Sequence, residues 1–274
     1  MGRLDGKVAF ITGAGMGQGR SHAQVLAREG AKIIAVDICQ QIDSVRLYDM
    51  ASKAELDETA RLVEEAGGSI VALQADVRSS ADLQAAVAAG LDAFGRIDIC
   101  CANAAIANVK DTPMWEVTDG QWQDIIDVNL TGAWRTAKAV IPTMIRQRSG
   151  SIIFTSSAAF MRSSGWLGGY VPSKGGLAGL MRELAIELGQ YSIRVNTFHP
   201  ANVGTRMGMA FAPEQPADVP PPPPATGVLP IYGVEVSDTS NAMVFLGSDE
   251  SRYVTGTEFR VDAGWPLRST ANSG

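Results

Sequence analysis

The chain has 274 residues, 46% hydrophobic and 19% charged, with 29 glycines and 13 prolines, enough for one large α/β domain or two small ones around a sizeable core. Its 23 Lys and Arg against 29 Asp and Glu leave a net charge of −6, a poor counterion for phosphate backbones or anionic lipid, which speaks against nucleic-acid or membrane-surface binding. The same composition excludes a collagen-like, disordered or disulfide-scaffold chain.

From the N-terminus, Met1-Gly2 suggests myristoylation, but Gly6 occupies the position where Ser or Thr is expected. The apolar run after Lys7 begins too early for a signal peptide. Strand-like runs then follow at Val8–Thr12, Lys32–Asp37, Ile70–Gln74, Ile97–Cys101, Ser151–Thr155, Arg194–Phe198 and Glu258–Val261. Near-continuous apolar stretches such as Ile33-Ile34-Ala35-Val36 suit strands covered on both faces of a parallel sheet. Helical patterns lie between them, and Ser52-Lys53-Ala54-Glu55 and Thr118-Asp119-Gly120-Gln121 match capping boxes that open two of these helices. Strand–helix alternation predicts a single-domain, Rossmann-like doubly wound sheet of about seven parallel strands with helices on both faces. No apolar stretch is long enough to cross a membrane. Cys39, Cys100 and Cys101 form no CxxC pattern and read as reduced, buried thiols, so a cytoplasmic location is expected.

Two segments interrupt the alternation. Residues 38–52 form a polar, aperiodic insertion, too long for an ordinary βα connection. Residues 201–235 hold eight of the thirteen prolines, including Pro220–Pro224, and read either as a surface loop or as a substrate lid with a stiff middle.

The first chemical motif is Thr12-Gly13-Ala14-Gly15-Met16-Gly17-Gln18-Gly19, between the first strand and a helix. Glycines there permit a tight turn and close approach of a pyrophosphate to free helix N–H groups. Asp37 ends the next strand, where a carboxylate accepts ribose hydroxyls and repels a 2′-phosphate. Ile38 follows it, no Arg or Lys lies within the glycine loop before Gly19, and Arg20 comes late for a phosphate partner, so NAD is expected rather than NADP.

The second motif is Tyr170-Val171-Pro172-Ser173-Lys174. Positions i and i+4 share a helix face, and Pro172 fits only a first turn, which sets Tyr170 at a helix start. A phenol is a poor base near neutrality unless fixed cations favour its ionised form. By itself the pair is common and reads by default as a packed surface pair.

Ser157, Asn129 within Asp127-Val128-Asn129-Leu130-Thr131-Gly132, Asn103-Ala104-Ala105, Asp76-Val77 and Pro200 complete a set in fixed order along the chain. With them the chain resembles the short-chain dehydrogenase/reductase family over essentially its whole length. The resemblance implies Tyr170 as the proton donor or acceptor, with Lys174 lowering its pKa and binding the nicotinamide ribose. It gives Ser157 the substrate oxygen and Asn129 a water that links Lys174 to solvent. It also implies NAD contacts from Gly13, Gly15, Met16, Gly17, Gln18, Asp37, Ile38, Asp76, Val77, Asn103, Ala104, Ala105, Thr155, Pro200, Ala201, Val203 and Thr205. Ala102-Asn103-Ala104-Ala105, Pro200-Ala201 and Asp262-Ala263-Gly264 depart slightly from the commonest family patterns, which bears on loop detail.

The insertion after Asp37, with Gly17-Gln18-Gly19-Arg20-Ser21-His22, resembles the mycofactocin-coupled, carveol dehydrogenase-like subfamily. That resemblance implies an insertion that covers NAD, a cofactor that does not exchange, a mycofactocin-type redox partner and a homotetramer. The alternative is an ornamental loop on an ordinary carbonyl reductase with exchangeable NAD(H); a non-catalytic redox sensor would be expected to lack one of the four catalytic residues. Phe160, Met161 and Trp166, with Met207, Met209 and Phe211, read either as core or as the wall of a pocket for a hydrophobic, terpenoid-type secondary alcohol or ketone. His22 and His199 lack ligand partners at metal spacing and read as structural. The pattern Gly120–Arg148 reads as one helix, with Trp134 serving packing or subunit contact.

Overall fold

The computed structural model describes residues 2–163, 165–211, 227–231 and 233–267. Its seven strands are β1 Val8–Thr12, β2 Lys32–Asp37, β3 Ile70–Gln74, β4 Ile99–Ala102, β5 Gly150–Thr155, β6 Ile193–Pro200 and β7 Glu258–Val261. They form one all-parallel sheet in the order β3-β2-β1-β4-β5-β6-β7. The order reverses between β1 and β4, and the crevice outside the carboxyl ends of these two strands is where such sheets bind ligands.

Alternation along the strands divides the core between the two faces. Phe10, Ile34, Val36, Cys100 and Phe154 pack under α3 (Ser80–Phe94), α5 (Gly132–Gln147) and α6 (Tyr170–Gly189). Ile11, Ile33, Ala35, Cys101 and Ile153 pack under α1 (Gly17–Arg28), α2 (Lys53–Glu65) and α8 (Val236–Gly247). Neighbouring Cys100 and Cys101 therefore bury their thiols on opposite sides of the sheet, and all three cysteines are free.

Local sequence explains most helix starts. Both expected capping boxes form: Ser52 with Glu55 opens α2, and Thr118 with Gln121 opens α4 (Asp119–Ile126). The expected single helix over Gly120–Arg148 is instead divided by a π-turn at Asp127–Thr131, between α4 and α5. The expected strand at Ile97 starts later, because the Gln147 side chain takes both the Ile97 N–H (3.0 Å) and its carbonyl (2.7 Å). A last short helix, α7 (Arg206–Ala210), follows β6. The proline run Pro220–Pro224 lies outside the described residues.

The insertion is a packed loop. Ile42 and Val45 are buried against the α3/α5/α6 side of the core, with Tyr48 and Met50 alongside. Gln41 braces it internally, accepting the Met50 N–H at 2.9 Å and donating to the Val45 carbonyl. Among the described residues no helix is long and apolar enough to cross a membrane.

Candidate active site

A cavity of about 580 Å³ opens at the β1/β4 reversal. Gly13, Met16, Gly17 and Gln18 form one wall; Asp37, Ile38, Asp76, Val77 and Asn103–Ala105 another. Thr155, Ser157, Tyr170 and Lys174 face it from β5 and α6, and Pro200, Ala201, Val203 and Thr205 from the end of β6.

Its first end has the features of a dinucleotide cradle. Gly13 has φ +68°, and a Cβ there would meet the Ala104 Cα at 2.9 Å, so the backbone is bare where a pyrophosphate approaches. Met16 precedes α1 and gives no side-chain cap, which leaves the helix N–H groups for an anion. The Thr12 hydroxyl accepts the N–H groups of Asn103 (3.0 Å) and Ala104 (3.1 Å), tying the loop after β4 to the glycine loop. Gly15 lies beneath the cavity: its N–H donates to Asp37 Oδ2 at 2.9 Å, and a Cβ would meet Ala51 at 2.7 Å. Burial raises the Asp37 pKa, opposed by the N–H groups of Cys39, Gly15 and Ile38. Arg20 is turned elsewhere, donating to the carbonyls of Gly15 and Glu55 and to the Thr59 hydroxyl. Asp76 is held from both oxygens by Arg78. Two polar atoms, Gln18 Oε1 and Thr155 Oγ1, are buried without a protein partner on residues that line this space. Bare backbone, free N–H groups, an anchored carboxylate and unpartnered polar atoms fit a dinucleotide.

The second end holds the reactive groups. Pro172 sits in the first turn of α6, as its missing N–H requires, and Tyr170 opens the helix. Lys174 Nζ lies 5.7 Å from the Tyr170 ring centroid and donates to the Thr155 carbonyl at 2.7 Å. Burial pushes the Tyr170 phenol above its ordinary value, opposed by the neighbouring Ser157 hydroxyl, and pushes Lys174 down to about 7. Asn129, in the π-turn, does not line the cavity. Its amide bridges the Ile106 backbone (2.8 and 2.9 Å) and the Ser173 hydroxyl (3.1 Å), which in turn donates to the Tyr170 carbonyl (2.7 Å).

Of the residues expected to wall a substrate pocket, Trp166, Met207 and Phe211 line the cavity. Phe160 does not. The short turn Ala158–Phe160 presents Ala158 and Ala159 to the space and turns Phe160 beneath α6, against Gly175 and the His199 ring, 6.2 Å between centroids. Met161 is likewise absent from the wall, and Met209 is 64% exposed. Trp265, near the last described residue, takes a place in it, braced by Arg162. Nothing local in the sequence marks Trp265. Ile42, Tyr48, Met50 and Ala51 bring the insertion to the cavity, and the apolar residues scattered through that polar loop were the available signal. The Tyr48 hydroxyl accepts the Ala107 N–H at 3.2 Å, and burial raises its pKa to about 12.

The histidines are structural. His22 is fully buried against the Ser240 hydroxyl at 2.9 Å, its pKa lowered to about 3 by burial, and His199 pairs with the Thr197 hydroxyl at 2.8 Å. Among the described residues no group of His, Cys, Asp or Glu is placed to hold a metal.

The chain is similar to known proteins over nearly its whole length. A family model described as enoyl-(acyl carrier protein) reductase matches residues 13–266. Carveol dehydrogenase from Mycobacterium avium, solved in complex with NAD, superposes with a TM-score of 0.92 at 44% identity, covering 98% of this chain and 100% of that one. A short chain dehydrogenase from Mycobacterium paratuberculosis bound to NAD gives 0.88 at 40% identity, over 97% and 100%. (-)-trans-Carveol dehydrogenase of Rhodococcus erythropolis is 42% identical over 98% of this chain and 100% of its own.

Proposed function

Because the chain belongs to the short-chain dehydrogenase/reductase family, we propose that it is an NAD-dependent dehydrogenase of hydrophobic, terpenoid-type secondary alcohols and the corresponding ketones. The observation that carries this reading is the convergence of Ser157, Tyr170 and Lys174 on one cavity with a dinucleotide cradle. NAD, when bound, supplies the hydride acceptor or donor.

Tyr170 takes the proton of the alcohol oxygen, or returns it to a ketone. Ser157, on the wall of the same cavity as Tyr170, holds that oxygen beside the phenol. Lys174, when protonated, favours the phenolate. Asn129 acts at one remove, fixing the loop after β4 against the first turn of α6 through Ser173. Asp37 accepts the adenosine ribose hydroxyls and excludes a 2′-phosphate. The wall of Trp166, Leu167, Met207, Phe211 and Trp265 favours apolar substrates by removing their surface from water.

The packed insertion at the cavity supports a cofactor that stays bound and is re-oxidised by a mycofactocin-type acceptor. Residues 201–207 and Phe211 support a substrate lid rooted at the end of β6. The carveol dehydrogenase relatives support the terpenoid class, and the family resemblance implies a cytoplasmic homotetramer.

A panel of cyclic and linear secondary alcohols, assayed with an artificial electron acceptor with and without added NAD, tests the reading. Turnover of cyclic terpenoid alcohols without added NAD is expected, as is NAD in the supernatant after denaturation. Turnover only with added NAD would indicate an ordinary exchanging reductase; no alcohol or ketone turned over would sink the proposal.

A further inference from the structure

The cavity is crossed by a contact between two distant segments. α7 leaves the end of β6 capped by Thr205, whose hydroxyl accepts the Gly208 N–H at 3.0 Å. The root of this helix sits on the glycine loop, where a Cβ on Gly17 (φ +55°) would come within 3.1 Å of Thr205 Cγ2. Arg206 then reaches across to the start of α2, pairing with both carboxylate oxygens of Glu55, and its Nη1 lies 3.5 Å from Met16 Sδ. Lys110 holds the far end of α7 through the Ala210 carbonyl at 3.1 Å.

We propose that the Arg206–Glu55 ion pair is a clasp that retains NAD, so that the diphosphate leaves the glycine loop only after the pair opens. This inference rests on the reading that NAD occupies the cavity.

Three observations carry it. Arg206 and Met16 both line the cavity, so the guanidinium stands over the glycine loop at the N-terminus of α1. A cation at the positive end of a helix is unfavourable by itself; a carboxylate on one side and a diphosphate on the other offset that cost. Glu55 is also held independently of Arg206, because its Oε2 accepts the Ser52 N–H at 2.9 Å in the α2 capping box. The pairing holds Glu55 below its usual carboxylate range, with Arg206 as the leading cause.

The test is the exchange of bound NAD for deuterated NAD in the purified holoenzyme, followed by mass spectrometry. Glu55→Gln removes the charge but keeps a capping residue suited to that position, so α2 remains intact; an unchanged melting temperature verifies this. Arg206→Gln removes the other half. Each single variant is expected to exchange about fivefold faster, the equivalent of ~1 kcal/mol for a partly exposed pair. The double variant should be no faster than either single. Single variants within twofold of wild type, or two effects that multiply in the double, would overturn the clasp. A protein that takes up no NAD would overturn both the clasp and the reading beneath it. Exchange within seconds in the wild type would overturn only the trapped cofactor, since the ratio of variant to wild-type rates still judges the clasp.

Discussion

In the proposed mechanism, burial sets the working range of Tyr170 and Lys174 as a proton-transfer pair. Burial disfavours the charged form of each, so the phenol titrates higher and the ammonium lower than in water. Alcohol oxidation needs the phenolate, so its kcat/KM should rise with pH from neutrality into the alkaline range. Ketone reduction needs the protonated phenol, which the raised pKa keeps in excess near neutrality, so it should fall only in the alkaline range where the phenol ionises. A flat profile in both directions would contradict the role given to Tyr170. Replacing Tyr170 with Phe should lower kcat by about 10²- to 10⁴-fold, the usual worth of a positioned acid or base, with circular dichroism unchanged. Because Lys174 drops from 10.5 to about 7 on folding, the unfolded chain binds more protons between those values. Burying its charged form therefore costs stability in full below about 7, and that cost is relieved as pH rises across the window. The Tyr-x-x-x-Lys spacing was legible in sequence because one helical turn brings i and i+4 together. The burial that perturbs the pair comes from β5 and the loop after β4, which spacing does not report.

Among the elements, the end of β2 carries the proposed choice of cofactor. Asp37 ends the strand, and backbone N–H groups from Gly15 (2.9 Å) and Cys39 (3.1 Å) aim its carboxylate. Asp37→Ala should weaken NAD about tenfold or more, the worth of a charge-assisted hydrogen bond, and relax discrimination against NADP. Equal preference in wild type and variant, measured by titration with both cofactors, would sink the assignment. The strands, the glycine loop and both capping boxes were readable because each depends on neighbours within a few residues. The π-turn at Asp127–Thr131 was not, since the periodicity on either side of it reads as one continuous helix. Phe160 stayed undecided between core and pocket wall for a related reason: composition marks an aromatic side chain as apolar but does not say which side of a short turn it leaves from.

At the scale of the whole molecule, the outer surface keeps large apolar groups that the fold does not bury. Trp134 on α5 is 40% exposed, with the Lys138 ammonium 4.8 Å from its ring, and Trp122 on α4 is 39% exposed. A homotetramer should appear in light scattering at four times the 28.9 kDa of the chain, and Trp134→Lys should reduce that mass. A tetramer indifferent to this change would place the contact elsewhere. The sequence by itself determined the doubly wound sheet, the dinucleotide loop, the acidic end of β2 and the Tyr170–Lys174 pair, because these follow from periodicity and contacts inside single elements. Only the tertiary structure decided that Trp265 rather than Phe160 faces the cavity, that the insertion packs against it, and that Arg206 meets Glu55 across it. Each of these contacts joins residues far apart along the chain, and no local pattern encodes a distance that exists only once the sheet has brought its segments together.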